Sequence, residues 1–203
     1  MTFTAEALAE NHTRYLERIA LFKTFGYDIE KERQAILERV RPITGRILEV
    51  GTGKGYFAVA LAQKGHTFTT IDVSSEEQEF ARSNITYIGL EKQVDFKVEN
   101  AERMSFADAS FDTIISVNTI HHLANPVRAI DEIVRVAAPG CKIVISDFNA
   151  AGFAVVDRIH QSEGRRHEAI TSTLGGVRDH LIRRGCSAEI YQSAMQDILI
   201  ARC

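Results

Sequence analysis

A chain of 203 residues, 45% of them hydrophobic and 25% charged, is long enough for one domain with a sizeable core. Its 27 acidic and 24 basic side chains leave a formal net charge of -3, which argues against nucleic acid or a membrane surface as a general partner. No run approaches the roughly 18 apolar residues that a bilayer span requires, and the charged start MTFTAEALAENHTRYLERIALF lacks the apolar centre of a secretory signal. The cysteines, Cys141, Cys186 and Cys203, are widely spaced and odd in number, a pattern that suggests neither a disulfide framework nor a zinc knuckle. A reducing cytoplasm is the expected location, and nothing in the pattern specifies an oligomeric state.

The first forty residues are predicted to be helical. Leu8, Tyr15, Ile19 and Phe22 share one face up to a break at Gly26, and Ile29, Ile36, Leu37 and Val40 share another up to Pro42. Short β-branched runs follow: RILEV (46–50), TFTTIDV (67–73), VDFKV (94–98), FDTIISV (111–117) and CKIVISDF (141–148). Helical patterns lie between them at Tyr56–Lys64, Ser75–Gly89 and Pro126–Ala137. That alternation predicts an α/β fold with a parallel sheet covered on both faces. A polar helical stretch, Ala150 to Arg184, is interrupted at Gly164 and Gly175-Gly176, and the closely spaced runs SAEIYQ (187–192) and QDILIARC (196–203) predict a terminal hairpin with an antiparallel member.

The strongest chemical signal is Glu49-Val-Gly51-Thr-Gly53-Lys-Gly55, directly after a strand and before a helix. Glycines there let the backbone turn sharply and approach a ligand, and the helix start offers unbonded N–H groups. A triphosphate loop requires GxxxxGK[ST], but Gly55 follows Gly53-Lys54. A dinucleotide fingerprint requires GxGxxG/A, but Tyr56 takes the third place. The remaining pattern, ExGxGxG, resembles the first motif of the class I S-adenosylmethionine-dependent methyltransferases. Asp72 at the end of the second strand fits the same resemblance. So do the segment Glu99-Asn100-Ala101-Glu102 to Phe111-Asp112, the run Val117-Asn118-Thr-Ile-His121-His122-Leu123, and the helix-and-turn Glu132–Gly140. The resemblance covers roughly Arg46 to Ala151 and the terminal hairpin, and is closest to the branch that methylates quinone precursors and other metabolites.

This resemblance implies a Rossmann-like seven-stranded sheet with helices on both faces, six strands parallel and the seventh antiparallel. Residues 1–203 would form a single domain, with 1–41 as a helical cap over the site. Gly51, Thr52, Gly53 and Gly55 would pass beneath the methionine and ribose of S-adenosylmethionine, with Glu49 holding the loop or bonding the methionine amine through water. Asp72 and the neighbouring Val73 would receive the ribose; Asn100, Ala101 and Glu102 the adenine; Asn118 would lie beside the sulfonium. Because Asp72 ends a strand at the ligand edge, its loss is expected to weaken cofactor binding and leave ligand-free stability little changed.

Methyl transfer from a sulfonium requires chiefly that nucleophile and methyl be held in line, and a base only where the nucleophile carries its proton. His122 and His121 are the candidate bases, and a helix-capping role is the alternative for the pair. Asp147 either contacts the acceptor or caps the following helix. His12 and Tyr15 either lid the site, or Tyr15 packs between helices with His12 in solvent. Asn118 occupies a position where a metal site would need a carboxylate, so no metal is expected. The basic stretch Arg158, His160, Arg165, Arg166, His167, Arg178, His180, Arg183 and Arg184 is either a solvated face or a reader of an anionic acceptor or RNA, with RNA the weaker choice for want of interleaved aromatics. The expected activity is methyl transfer to a small-molecule acceptor, leaving S-adenosylhomocysteine. A nicotinamide-dependent oxidoreductase and a non-catalytic ligand-binding member of the same fold are the alternatives.

Overall fold

The computed structural model describes residues 3–164 and 173–203. Side-chain caps start the first helices: Thr4 accepts the N–H of Ala7 to begin α1 (Ala5–Thr24), and Asp28 that of Lys31 to begin α2 (Ile29–Arg39). The alternating region folds as β1 (Ile47–Val50), α3 (Tyr56–Gln63), β2 (Phe68–Asp72), α4 (Ser75–Tyr87), β3 (Val94–Val98), β4 (Phe111–Val117), α5 (Pro126–Val136) and β5 (Ala137–Phe148). Helices α6 (Ala150–Ser162) and α7 (Leu174–Arg183) precede strands β6 (Ser187–Gln192) and β7 (Gln196–Arg202). The expected break at Gly175-Gly176 is absent; both glycines lie in the first turn of α7, where Thr173 accepts the Gly176 N–H. Arg165, Arg166 and His167 fall outside the described residues.

The sheet order is β3-β2-β1-β4-β5-β7-β6. Strands β1 to β5 pair in parallel, and β7 inserts antiparallel between β5 and β6. Alternate side chains serve opposite faces, as the two-residue strand period requires. Leu48, Val50, Ile114, Ile143 and Leu199 pack toward α5 and α7, while Ile47, Ile115, Val117 and Val144 pack toward α2, α3 and α6. Lys142 fastens the amino-terminal helices to this frame, its buried ammonium donating to the carbonyls of Val40 (2.8 Å) and Pro42 (2.5 Å).

The chain leaves β1 toward β2 and β3, then returns to place β4 and β5 on the other side. Beside a reversal of this kind, loops at the carboxyl ends of adjacent strands diverge and leave a crevice. The hairpin corrects the cysteine expectation: Ser187 pairs with Arg202, so the next residues outward, Cys186 and Cys203, face each other with Cα atoms 4.3 Å apart and are joined in a disulfide. Among the described residues no helix is long and apolar enough to cross a membrane.

Candidate active site

A cavity of about 570 Å³ opens in that crevice, walled by the loops after β1, β2, β3 and β4, by the end of β5 and by α1 and α2. Of the candidate cofactor, catalytic and acceptor residues, ten line it, Gly51, Thr52, Gly53, Asp72, Val73, Asn100, Ala101, Asn118, His121 and His122, and so does His160 of the basic stretch. Glu49, Gly55, Glu102, His12, Tyr15 and Asp147 do not.

The glycine loop lies over a buried polar rivet. Glu49 accepts from the Thr70 hydroxyl (2.5 Å), which also meets the Thr52 hydroxyl (2.6 Å), and the Gln78 amide reaches Thr52 and the Lys97 carbonyl (2.8 Å). Burial of Glu49 pushes its carboxyl up to about 8, opposed by Thr70 and the positive charge of Arg33. Gly51, at φ +89°, allows Thr119 to approach so closely that a Cβ would fall 2.0 Å from its hydroxyl. Nothing lies within 4 Å of where a Gly53 Cβ would stand, which leaves that side of the loop open to a ligand.

Asp72, half-buried, accepts the Gly53 N–H on one carboxylate oxygen (2.8 Å) and the Ser74 N–H on the other (2.9 Å). It therefore holds the loop as well as facing the cavity, and the expectation that its loss would spare ligand-free stability is revised. Beyond β3, Asn100 accepts the Glu102 N–H (2.8 Å) and forms a local turn beside Ala101. Glu102 is turned away, its carboxylate accepting the Asn125 N–H (2.8 Å) at the start of α5, because that helix start presents unbonded N–H groups. Val73 is 72% exposed at the rim.

Past β4 the backbone turns through Asn118 at φ +55°, a left-handed conformation unfavourable for most side chains. The Asn118 Oδ1 is buried there without a partner. A single 3-10 turn, Ile120–His122, carries the histidines. His121 is buried with Nδ1 2.6 Å from Asp147 Oδ1; Asp147 also accepts the backbone N–H groups of His121 (3.2 Å) and Phe148 (2.8 Å). Asp147 thus neither contacts the cavity nor caps α6, whose cap is Asn149; it orients His121. His122 is exposed, its ring centroid 4.0 Å from that of His121, and Asn125, not a histidine, caps α5.

Tyr15 and His12 do not reach the cavity: Tyr15 stacks on Tyr56 (5.1 Å), the helix-packing role, and His12, rather than standing in solvent, stacks on Tyr87 (4.2 Å). In the basic stretch, His180 and Arg184 pair with Asp131 of α5, and Arg178 pairs with Asp179. Sequence reasoning missed Arg18, Tyr27, Arg33 and Phe148, all of which line the cavity. A signal existed for Arg33, which stands four residues after Ile29 and three before Ile36, placing a charge inside the apolar stripe of α2.

A doubly wound sheet with a glycine loop at its switch point and an acidic residue ending the next strand defines a Rossmann-like ligand-binding enzyme domain. The methyltransferase domain family (Methyltransf_11) matches residues 48–145. A phosphatidylethanolamine N-methyltransferase from Cereibacter sphaeroides is 28% identical over 173 residues, covering 85% of this chain and 83% of its own. The ubiquinone/menaquinone biosynthesis C-methyltransferase UbiE of Geotalea daltonii is 29% identical over 140 residues, and the chain spans 68% of itself but only 60% of that relative. In fold, the crystal structure of a SAM-dependent methyltransferase from Aquifex aeolicus superposes with a TM-score of 0.66 at 20% identity, covering 84% of this chain and 88% of that one. The chain is a member of the class I S-adenosylmethionine-dependent methyltransferase superfamily, and it is a methyltransferase. Membership implies that it binds S-adenosylmethionine.

Proposed function

We propose that this enzyme methylates a small-molecule acceptor held at the β5 end of the cavity, as one domain over residues 1–203 in which residues 1–41 roof the site. The observation that carries the proposal is the polarity of one continuous cavity. At the β2–β3 end stand Asp72, Asn100 and Ala101; in the middle, Asn118 with its orphaned Oδ1; at the other end, Phe148, His121 and Tyr27. Those groups suit the ribose diol and adenine, the charged amino-acid portion, and an acceptor, in that order. When bound, S-adenosylmethionine supplies a methyl group activated on sulfur for in-line displacement, leaving S-adenosylhomocysteine.

The chain's own contribution is position. Asp72 has lone pairs left for the ribose hydroxyls after binding Gly53 and Ser74. Asp147 fixes the tautomer of His121 by engaging Nδ1, which makes His121 rather than His122 the group able to take a proton from an acceptor that carries one. Two relatives are named for small molecules, one an N- and one a C-methyltransferase, which supports a metabolite rather than nucleic acid as acceptor. We assign the enzyme to the cytoplasm, a reducing compartment in which the Cys186–Cys203 disulfide would be open to reduction. Calorimetry should give saturable binding of S-adenosylmethionine and S-adenosylhomocysteine; failure of both to bind folded protein removes the proposal. A labelled methyl donor offered with metabolites and short RNAs should mark a metabolite, and label on RNA would overturn the acceptor class.

A further inference from the structure

Arg33 is 6% exposed, yet no carboxylate of the described residues lies within ion-pair distance of it. Its Nη1 donates to the Tyr27 hydroxyl (3.2 Å), and its Nε is buried with no partner. An uncompensated buried guanidinium is costly, and structures retain one where a ligand supplies the missing anion. Glu49 and Glu32 both feel the Arg33 charge without pairing with it; the Glu49 carboxyl is engaged by Thr70 and pushed up to about 8 by burial, and Glu32 is itself pushed up by burial.

Tyr27 adds a second donor in the lining of the same cavity. Its ring is 1% exposed, and its oxygen already accepts from two sides, from Arg33 and from the Gln196 amide. Gln196 is in turn held by the Ser146 hydroxyl (2.6 Å), which directs its NH₂ group at Tyr27. With two donors on its oxygen, Tyr27 turns its own proton elsewhere, and no described residue accepts it. Both residues line the cavity. The chain of partners runs to β5 and β7, and the Tyr27 ring packs edge-on to Phe148 (5.5 Å), on the opposite side from Asp72 and Asn100.

We propose that Arg33 and Tyr27 form an anion-binding corner for the acceptor, so that the molecule methylated carries a carboxylate or phosphate beside an apolar body resting on Phe22 and Phe148. Arg33 supplies charge and unused N–H groups, Tyr27 an O–H donor, and the two together hold an anionic oxygen pair. This rests on the proposed methyl transfer, and the other source of the same chemistry is the cofactor's own carboxylate.

The test uses the full chain and three probes, benzoate, phenyl phosphate and the neutral benzamide, titrated by calorimetry with and without saturating S-adenosylhomocysteine. With S-adenosylhomocysteine present, an anionic probe should bind at least ten times more tightly than benzamide. Arg33→Gln should abolish the preference, Arg33→Lys keep part of it, and Tyr27→Phe reduce it several-fold while leaving the guanidinium in place. Equal binding of anionic and neutral probes by the wild type overturns the proposal, as does a preference that survives in Arg33→Gln. Displacement of the anionic probes by S-adenosylhomocysteine, with a tenfold loss of its affinity in Arg33→Gln, overturns it in favour of the cofactor carboxylate. Should Arg33→Gln not fold, the wild-type preference and its response to Tyr27→Phe decide. Failure of S-adenosylhomocysteine to bind the wild type counts against the methyltransferase site alone, since probe preference is also measured without it.

Discussion

Asp72 serves two purposes at once. Its oxygens take the N–H groups of Gly53 and Ser74, and their remaining lone pairs face the cavity. Hydrogen bonds to a charged group contribute about 1.5–3 kcal/mol each. Asp72→Ala should therefore lower affinity for S-adenosylhomocysteine by roughly ten- to a hundred-fold or more, as read by calorimetry. It should also lower the ligand-free melting temperature, because the Gly53 and Ser74 N–H groups lose their acceptor. Unchanged affinity would remove Asp72 from the binding site; unchanged melting temperature would mean that the loop does not depend on it.

At the scale of elements, α5 explains why the segment Glu132–Gly140 accompanies the glycine loop in the sequence. Arg135 donates to Glu132 (2.8 Å), to Asp108 (2.8 Å) and to the carbonyls of Met104 (3.0 Å) and Phe106 (2.8 Å), while Glu132 accepts the Met104 N–H (2.8 Å). These bonds fasten the loop after β3 to the helix and so hold Asn100 and Ala101 at the cavity from behind. The start of α5 is fixed separately, by the Asn125 side chain accepting the Arg128 N–H (3.1 Å). Asn125→Ala should cost about 1 kcal/mol in chemical denaturation, the usual worth of an N-cap. Cofactor affinity should be kept, since Glu102 binds the Asn125 backbone and not its side chain. A variant as stable as wild type would show that the cap contributes nothing.

At the scale of the whole molecule, Glu49 makes stability depend on pH. Burial raises its carboxyl from 4.5 to about 8, so the folded chain holds a proton that the unfolded chain releases. The resulting stabilisation is complete below pH 4.5 and is lost as pH rises through about 8. Glu49→Gln keeps an acceptor for Thr70 without the charge. Thermal denaturation without ligand should give the wild type a falling melting temperature between about pH 5 and 8, and the variant a flatter profile. Parallel profiles would show that Glu49 titrates normally.

Strand and helix order, the switch-point crevice and the residues that line its β2–β3 end were legible in the sequence, because each rests on local signals. Short β-branched runs marked the strands, which are buried on both faces at the centre of the sheet, and glycines at Gly51 and Gly53 marked a loop able to turn sharply. The β5 end of the cavity was not legible, because its pairs join distant parts of the chain. His121 meets Asp147 only because β4 and β5 are neighbours in parallel register. Cys186 meets Cys203 only through the register of the hairpin. Tyr27 meets Gln196, 169 residues away, only because β7 enters between β5 and β6 beneath the connection from α1 to α2. Periodicity shows which face of an element is buried, and the motif after β1 shows where the chain can approach a ligand. Which buried polar groups meet across strands depends on sheet order and register, and so the tertiary structure alone decided that Asp147 orients His121 and that Arg33 and Tyr27 line the same cavity.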